Sequence, residues 1–248
     1  MEIRTYGGGR RLSRCEQLLR GRRLSSEFNR LIVLPIPTSR DNKYITGTST
    51  TVGEIAAMLT PHTAVAGYNI PTEITEAASR VGAIVYDGGL DETFLSANAE
   101  LTARGALGYI LTHVESDVAD MHIGVVGYGR IGRRMVDHLS RFGGRITVYT
   151  RRGGVADMLR DRGIGACVIS DENDLSALDI LINTAPSRQF SDRDIPPELD
   201  IIDLASGMVF EPSAKLIKLA SIPDAFYPLT AGRLYAEAVY RRFGGGVR

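Results

Sequence analysis

The chain has 248 residues, 44% of them apolar and 23% charged, which is the composition of a globular protein with a sizeable buried core. Lysine plus arginine and aspartate plus glutamate number 29 each, and this balance argues against a nucleic-acid or membrane-surface partner. Two cysteines cannot form a disulfide framework, no Cys/His spacing indicates a metal site, and the lack of a spanning segment or signal peptide predicts a cytoplasmic protein.

The first half of the chain predicts a small α/β domain. Short apolar runs bounded by Gly, Pro or Asn predict strands at Ile3–Tyr6, Arg30–Ile36, Thr63–Gly67 and Ala83–Tyr86. Apolar residues at helical spacing predict helices around Leu12–Leu19, at Val52–Leu59 and at Thr72–Arg80. A further helix over Ala97–Ser116, which contains no proline, is predicted to join this domain to the next.

The second half alternates strands and helices more regularly. Strands are predicted at Met121–Val126, Arg145–Thr150, Ala166–Ile169, Asp179–Asn183 and Asp200–Ala205. Because these strands are continuously apolar, they predict a doubly wound parallel sheet with helices on both faces. The predicted organisation is a first domain at 1–96, a linker helix at 97–118, a second domain at 119–225, and a C-terminal helix at 226–248 that packs back on the first domain.

The strongest motif is a glycine-rich turn between a predicted strand and a predicted helix. Its residues are Gly127, Tyr128, Gly129, Arg130, Ile131 and Gly132. In a Rossmann-like domain the three glycines allow a tight turn, close approach to a pyrophosphate and close helix–strand packing, and the helix N-terminus faces the phosphates. The pattern therefore predicts dinucleotide binding; the alternative is a plain strand–helix turn with packing glycines.

The end of the next strand predicts which dinucleotide binds. An acidic residue there would bind the ribose 2′-hydroxyl of NAD, but this chain has Thr150, Arg151 and Arg152. Because a guanidinium pairs with phosphate through two hydrogen bonds, the two arginines favour NADP(H). The alternative is that both are simply solvated.

Two more strand ends fall on the edge of the sheet where such folds bind ligands. They supply short or small side chains that are suited to contacts with the nicotinamide ribose: Asn183, Thr184, Ala185, Pro186, Ala205 and Ser206. The alternative, that these residues only end the strands and begin ordinary loops, explains the sequence equally well.

Several of these segments together resemble the dipicolinate synthase A subunit, which represents a two-domain, NADP-linked family of spore-forming bacteria. The resemblance rests on Gly127–Gly132, Ile182–Pro186, Ile202–Ser206 and Leu229–Arg233, with looser matches at Tyr6–Arg10, Leu34–Thr38 and Thr102–Leu107. It departs from the family at Arg104, where the family carries Glu. The resemblance implies NADP-dependent oxidation of a dihydrodipicolinate-type heterocycle to dipicolinate, in a branch of the lysine pathway used in sporulation. It also implies that the partner is a flavoprotein-like B subunit, and we further expect a homo-oligomer.

A substrate of this kind carries two carboxylates, so its site, expected in the cleft between the domains, needs anion-binding groups. The residues that we expect to supply them are Gly8, Gly9, Arg10, Thr38, Ser39 and Arg104; the alternative is that Gly7–Gly9 only turns the chain and that both arginines are solvated. The alternatives are another NADP-dependent dehydrogenase, for example one acting on a 2-hydroxy acid, and a non-catalytic NADP-binding subunit. The non-catalytic alternative is supported by the sequence, which shows no convincing catalytic acid or base.

Two further residues carry weaker expectations. His113 lies on the linker helix and is the one histidine considered as a proton carrier, although a structural histidine is the more ordinary interpretation. Cys15 lies on an arginine-rich helix, which favours a lowered thiol pKa.

Overall fold

The computed structural model describes residues 1–170, 173–187, 189–191, 195–205, 215–219 and 221–245. The chain divides into two compact units. One comprises Met1–Asn98 together with Tyr227–Arg248, and the other comprises Ala99–Phe226. Within the described residues, no helix has the length and apolar character needed to cross a membrane.

The first unit is a four-stranded parallel sheet covered by helices. Its elements in chain order are β1 (Glu2–Thr5), α1 (Arg10–Arg20), β2 (Arg30–Val33), α2 (Val52–Ala57), β3 (Thr63–Gly67), α3 (Thr72–Val81) and β4 (Ile84–Asp87). The strand order is β1-β2-β3-β4, and all neighbours are parallel. Parallel strands need crossover connections, and α1, α2 and α3 supply them here.

The C-terminal helix α8 (Pro228–Phe243) belongs to this first unit and packs against α1. A Cβ added at Gly232 would lie 2.4 Å from the carbonyl oxygen of Arg11, so the two helices approach closely only because this residue is glycine. The side chain of Tyr235 is fully buried, and its hydroxyl donates to the carbonyl of Leu34 at 3.0 Å. The predicted return of the C-terminal helix to the first domain is confirmed.

The burial of Cys15 contradicts the expectation that its thiol pKa is lowered. The thiol lies in the apolar core between α1 and α8, with no exposed surface. Because burial disfavours the thiolate, it raises the pKa of Cys15 to about 12. The predicted lowered pKa is therefore wrong: the arginines of α1 do not compensate for the lost hydration.

The long connecting helix α4 spans Glu92–His113 and begins five residues before the predicted start at Ala97. The carboxylate of Asp91 accepts the backbone N–H of Phe94 at 3.0 Å and so satisfies one of the free donors of the first turn. The predicted end at Ser116 is also wrong, because α4 ends at His113 and Asp117 begins a separate short 3₁₀ turn, Val118–Asp120.

The second unit is a six-stranded parallel sheet. Its elements in chain order are β5 (His122–Val126), α5 (Arg130–Arg141), β6 (Arg145–Thr150), α6 (Gly153–Asp161), β7 (Gly165–Val168), β8 (Ile180–Asn183), β9 (Asp200–Asp203), β10 (Leu216–Lys218) and α7 (Ile222–Phe226). The strand order β10-β9-β8-β5-β6-β7 is that of a doubly wound dinucleotide-binding sheet. The predicted fold class, two α/β domains joined by a long helix, is confirmed, whereas β10 and α7 were not predicted.

Candidate dinucleotide-binding site

A cavity of about 240 Å³ lies at the carboxyl ends of β5, β6 and β8 in the second unit. This edge, where the strand order reverses beside β5, is where doubly wound sheets bind ligands. The cavity is lined by Gly127, Tyr128, Gly129, Tyr149, Thr150, Arg151, Arg152, Ile169, Thr184, Ala185, Pro186 and Gln189.

The glycine turn has the geometry that dinucleotide binding requires. Gly127 has φ +89°, a conformation that side-chain-bearing residues rarely adopt. A Cβ at Gly132 would lie 2.2 Å from the carbonyl oxygen of Gly127, so this glycine allows α5 to pack closely on the turn. Gly129 heads α5, and a Cβ built there meets no described atom within 4 Å. Space is therefore left in front of the helix N-terminus, where unpaired N–H groups favour an anion.

The loop after β8 is held against the same turn. The Thr184 hydroxyl donates to the carbonyl of Val126 at 2.8 Å. The side chain of Asn183, which is fully buried, accepts the N–H of Ala185 at 3.1 Å and donates to Asp203 at 2.9 Å. Thr184 and Ala185 thus reach the cavity, while Asn183 organises the loop from beneath.

The two arginines after β6 both border the cavity, and they differ in their partners. The Arg152 Nη2 donates to the carbonyl of Tyr128 at 3.2 Å. Among the residues that the structure describes, the Arg151 guanidinium has no hydrogen-bond or ion-pair partner. The side chain of Thr150 is buried, and its hydroxyl accepts the N–H of Arg152 at 3.3 Å.

The predicted cofactor residues therefore fall into three groups. Nine of them line the cavity: Gly127, Tyr128, Gly129, Thr150, Arg151, Arg152, Thr184, Ala185 and Pro186. Five do not line it: Arg130, Ile131, Gly132 and Asn183, which lie in the same turns, and Ala205, which lies in the turn after the neighbouring strand β9. Ser206 lies outside the described residues. Three further residues line the cavity and were not predicted: Tyr149, Ile169 and Gln189. Ile169 could have been found, because it follows β7 and so lies at a strand end like the predicted residues.

A second, more open groove of about 610 Å³ lies in the first unit beside the N-terminus of α1. Two of the predicted substrate residues, Gly9 and Arg10, line it, and it is completed by Ser13, Arg14, Gln17 and Leu229. Gly9 has φ +98°, and neither Gly8 nor Gly9 has a described atom within 4 Å of an added Cβ. The backbone of this turn is thus accessible, as the prediction of an anion-binding turn requires.

The two hydroxyls predicted for the substrate are used within the protein. Thr38 is fully buried, and its hydroxyl accepts the N–H of Tyr68 at 2.9 Å and donates to the carbonyl of Pro35 at 3.4 Å. The Ser39 hydroxyl donates to the carbonyl of Tyr44 at 2.7 Å. Both side chains shape the loop after β2, and neither lines the groove.

The two predicted functional residues of α4 also have internal partners. Arg104, in the second unit, donates from Nε to the Glu100 carboxylate at 2.7 Å. His113, exposed at the end of the helix, stacks on Tyr109 with ring centroids 3.9 Å apart, and its Nδ1 lies 3.0 Å from the Tyr109 carbonyl. Neither lines the two cavities described above, so their proposed roles remain predictions.

The fold and the glycine turn define a two-domain α/β protein whose second unit has the architecture of a nicotinamide-dinucleotide-binding domain. Residues 102–193 match the family model of the D-isomer specific 2-hydroxyacid dehydrogenase NAD binding domain.

Two solved structures of the dipicolinate synthase A subunit share this fold across almost the whole chain. The Bacillus halodurans protein superimposes with a TM-score of 0.80 at 18% identity, covering 97% of each chain. The Bacillus subtilis protein gives a TM-score of 0.79 at 17% identity, covering 98% of this chain and 95% of that one. At these identities the likeness establishes the fold.

The curated relatives are matched over a shorter stretch. An 18-hydroxynorfluorocurarine reductase of Strychnos sp is 32% identical over 163 residues, which are 62% of this chain and 40% of the relative. The chain thus spans about 40% of the length of these relatives.

Proposed function

We propose that this chain is an NADP(H)-dependent oxidoreductase that oxidises a dihydrodipicolinate-type heterocycle to dipicolinate. The observation that carries the proposal is the cavity at the glycine turn, which is bordered by Arg151 and Arg152 where an NAD-binding domain would carry an acid. The match of residues 102–193 to an NAD-binding domain and the fold shared with the dipicolinate synthase A subunit support it.

The residues around the cavity fit a dinucleotide. Gly129 leaves room for a pyrophosphate in front of α5, and the first turn of that helix contains no acidic residue. Arg151 borders the cavity after β6, and its guanidinium has no partner among the described residues, so in the proposal it binds the 2′-phosphate of NADP. When bound, the cofactor supplies the hydride chemistry of the reaction, and the protein contributes binding and orientation.

Residues of the first unit support the proposed substrate class. Oxidation of a dihydrodipicolinate removes a hydride and a proton and leaves an aromatic ring with two carboxylates. Arg10 and the accessible backbone of Gly8 and Gly9 form one carboxylate site in the proposal, and Arg104 serves the second carboxylate. Partnership with a flavoprotein-like B subunit, self-association and a place in sporulation complete the proposal.

A 2-hydroxy acid dehydrogenase is the second candidate, because the matched family model is that of such enzymes. A non-catalytic NADP-binding subunit is the third. The contacts of His113, the histidine considered as a proton carrier, favour this third candidate. Its Nδ1 lies against the carbonyl of Tyr109 and its ring is stacked on the Tyr109 side chain, which is the environment of a structural histidine.

The deciding experiment follows reduced-nicotinamide absorbance with dihydrodipicolinate, with and without the proposed flavoprotein-like partner. Formation of NADPH from NADP⁺, absent in Gly129→Val, is the expected result. Turnover of a 2-hydroxy acid in its place would favour the second candidate. Tight NADPH binding with no turnover of either substrate, even with the partner present, would favour the third.

A further inference from the structure

Two arginine side chains converge on one carbonyl of the glycine turn. The Arg152 Nη2 lies 3.2 Å from the Tyr128 carbonyl oxygen, and the Arg133 Nε lies 3.4 Å from the same atom. The Arg133 guanidinium also lies 5.7 Å from the centroid of the Tyr128 ring, which is itself mostly buried. The peptide between Tyr128 and Gly129 is thus held from α5 and from the loop after β6 together.

Fixing this carbonyl also fixes a donor that faces the other way. The Tyr128–Gly129 peptide bond is trans, so its C=O and N–H point in opposite directions. With the carbonyl directed at the guanidinium groups, the N–H of Gly129 is directed away from them. Gly129 heads α5 beside open space, so this N–H belongs to the part of the turn that a pyrophosphate approaches.

We propose that the two neighbouring arginines have different roles: Arg152 is a positioning residue that orients the Tyr128–Gly129 peptide for the pyrophosphate, and Arg151 binds the 2′-phosphate. The second half of this inference rests on the NADP preference proposed above; the first half applies to NADH and NADPH alike.

The division follows from the hydrogen bonds of each side chain. Arg152 directs one terminal nitrogen back to the glycine turn, and its backbone N–H is held by Thr150 at 3.3 Å, so its place between β6 and α6 is fixed. Within the described part of the chain, Arg151 keeps all its donors free, and it borders the same cavity. A planar, unengaged guanidinium is suited to two hydrogen bonds with a phosphate.

The test measures the dissociation constants of NADPH and NADH by fluorescence titration for the wild type and four variants. Arg151→Ala is expected to weaken NADPH binding about 10- to 150-fold and to leave NADH binding unchanged, because only NADPH carries the 2′-phosphate. Arg152→Ala is expected to weaken both cofactors by the same factor, about 5-fold, so the preference for NADPH is retained. Arg162→Ala, an exposed arginine after α6, is the charge-matched control.

Two measurements distinguish a positioning role of Arg152 from a purely electrostatic attraction to the cofactor. Arg152→Lys, which still donates to a carbonyl, should recover part of the lost affinity. The loss in Arg152→Ala should persist at about 0.5 M salt, where the attraction between a solvated arginine and a phosphate is largely screened. The melting temperature without ligand should be unchanged in all variants.

Several results would overturn the assignment. In the first, Arg152→Ala loses as much of the preference for NADPH as Arg151→Ala does. In the second, Arg152→Ala binds both cofactors with unchanged affinity. In the third, the affinity lost in Arg152→Ala is recovered at about 0.5 M salt. Equal wild-type affinities for NADPH and NADH would overturn the role of Arg151 as the ligand of the 2′-phosphate. The positioning role of Arg152 would then be tested by the dissociation constants of NADH alone. A wild type that binds neither cofactor refutes the proposed function itself, which distinguishes that failure from the others.

Discussion

The side-chain amide of Asn183 donates a hydrogen bond of 2.9 Å to the carboxylate of Asp203, and both residues are almost fully buried. The two residues end the neighbouring strands β8 and β9. Each also holds the loop that follows it: Asn183 accepts the N–H of Ala185 at 3.1 Å, and Asp203 accepts the N–H of Ala205 at 3.0 Å. One buried pair therefore ties together two loops at the ligand edge of the sheet, and one of these loops lines the cavity.

Asp203→Ala should therefore destabilise the protein and weaken cofactor binding together. The variant removes one of the two acceptors of the buried Asn183 amide, which also donates to the carbonyl of Ala185 at 3.0 Å. One buried N–H is then left unsatisfied, and such a donor costs about 1–3 kcal/mol of unfolding free energy. Urea unfolding and NADPH titration measure the two effects. Asp161→Ala, at the exposed end of α6, is the control and should change the unfolding free energy by less than about 0.5 kcal/mol. Equal stability of the two variants would contradict the role of the pair.

Two glycines of the same turn should respond differently to alanine. In Gly132→Ala the new Cβ meets the Gly127 carbonyl oxygen at 2.2 Å, so the turn must move and the melting temperature should fall by several degrees. In Gly129→Ala the Cβ enters open space, and the φ of −87° is ordinary for any residue. Here the melting temperature should hold while NADPH binding weakens, and Gly129→Val should abolish binding. If Gly129→Val binds NADPH normally, the turn serves packing only.

The features predicted best from the sequence are those that depend on local patterns. The strands β3 and β6 have the predicted boundaries, because each is a β-branched or apolar run between clear breakers. The glycine turn was predictable because its spacing between a strand and a helix is dictated by backbone geometry. The ligand-edge residues Thr184 and Ala185 followed from the rule that parallel strands end at one edge.

What the sequence could not predict depends on tertiary contacts. The early start of α4 comes from the cap at Asp91, an Asp-x-x-Phe pattern that carries only a weak signal. The engagement of Thr38 could not be foreseen, because its partner Tyr68 is chosen by the fold. The Glu100–Arg104 pair is different, because its i,i+4 spacing on the predicted helix was a local signal for this contact. Strand β10 has three residues, too few for periodicity to distinguish it from a loop.

The thiol of Cys15 should be unreactive in the folded protein. It is fully buried, and burial raises its pKa to about 12, so both access and thiolate formation are suppressed. Labelling with a thiol reagent at about pH 8 should therefore modify only Cys167 in the native state, and both residues after denaturation. Cys167→Ser should abolish native labelling, and Cys15→Ser should leave it unchanged. Rapid labelling of two thiols in the native protein would refute the buried placement.

Acid stability should depend on Asp91, which accepts hydrogen bonds from Phe94 N–H, the Tyr86 hydroxyl and Arg241 at 2.9–3.0 Å. Burial alone would raise the pKa of Asp91, but these hydrogen bonds outweigh it, and the pKa is lowered. A carboxyl whose pKa is lowered by folding contributes stability above its unfolded value of about 3.9, and this contribution is lost as the pH falls through the folded value.

Asp91→Asn should accordingly cost about 1–3 kcal/mol of unfolding free energy near pH 7. The difference from the wild type should shrink as the pH falls below about 4, because the unfolded carboxyl takes up its proton first and the folded carboxyl follows only as the pH falls through its lowered pKa. Urea unfolding at a series of pH values measures this difference in unfolding free energy, with Asp161→Asn, at an exposed position, as the control. A difference that stays constant down to about pH 3, below the unfolded pKa, would show that charge at Asp91 contributes nothing.

The carboxylate site proposed for the first unit is tested by dipicolinate binding to the NADPH-loaded protein. Arg10 borders the groove at the head of α1 and offers a charge-assisted hydrogen bond, so Arg10→Ala should weaken binding by about 1–3 kcal/mol, or roughly 5- to 150-fold. Arg104→Ala should weaken it less, because Arg104 already gives one donor to Glu100. Neither variant should change NADPH affinity. Arg80→Ala, an exposed arginine of α3 in the same unit as Arg10, is the matched control.

Calorimetry with the four proteins distinguishes the outcomes, because a direct contact appears as a lower affinity for dipicolinate with an unchanged response to NADPH. Binding that tolerates both Arg10→Ala and Arg104→Ala would place the carboxylates elsewhere. An absence of dipicolinate binding in the cofactor-loaded wild type would argue against a pyridine dicarboxylate and favour a 2-hydroxy acid or a non-catalytic role. A loss in Arg10→Ala alone would assign the first carboxylate to the glycine turn at Gly8 and Gly9, and would leave Arg104 as a structural partner of Glu100.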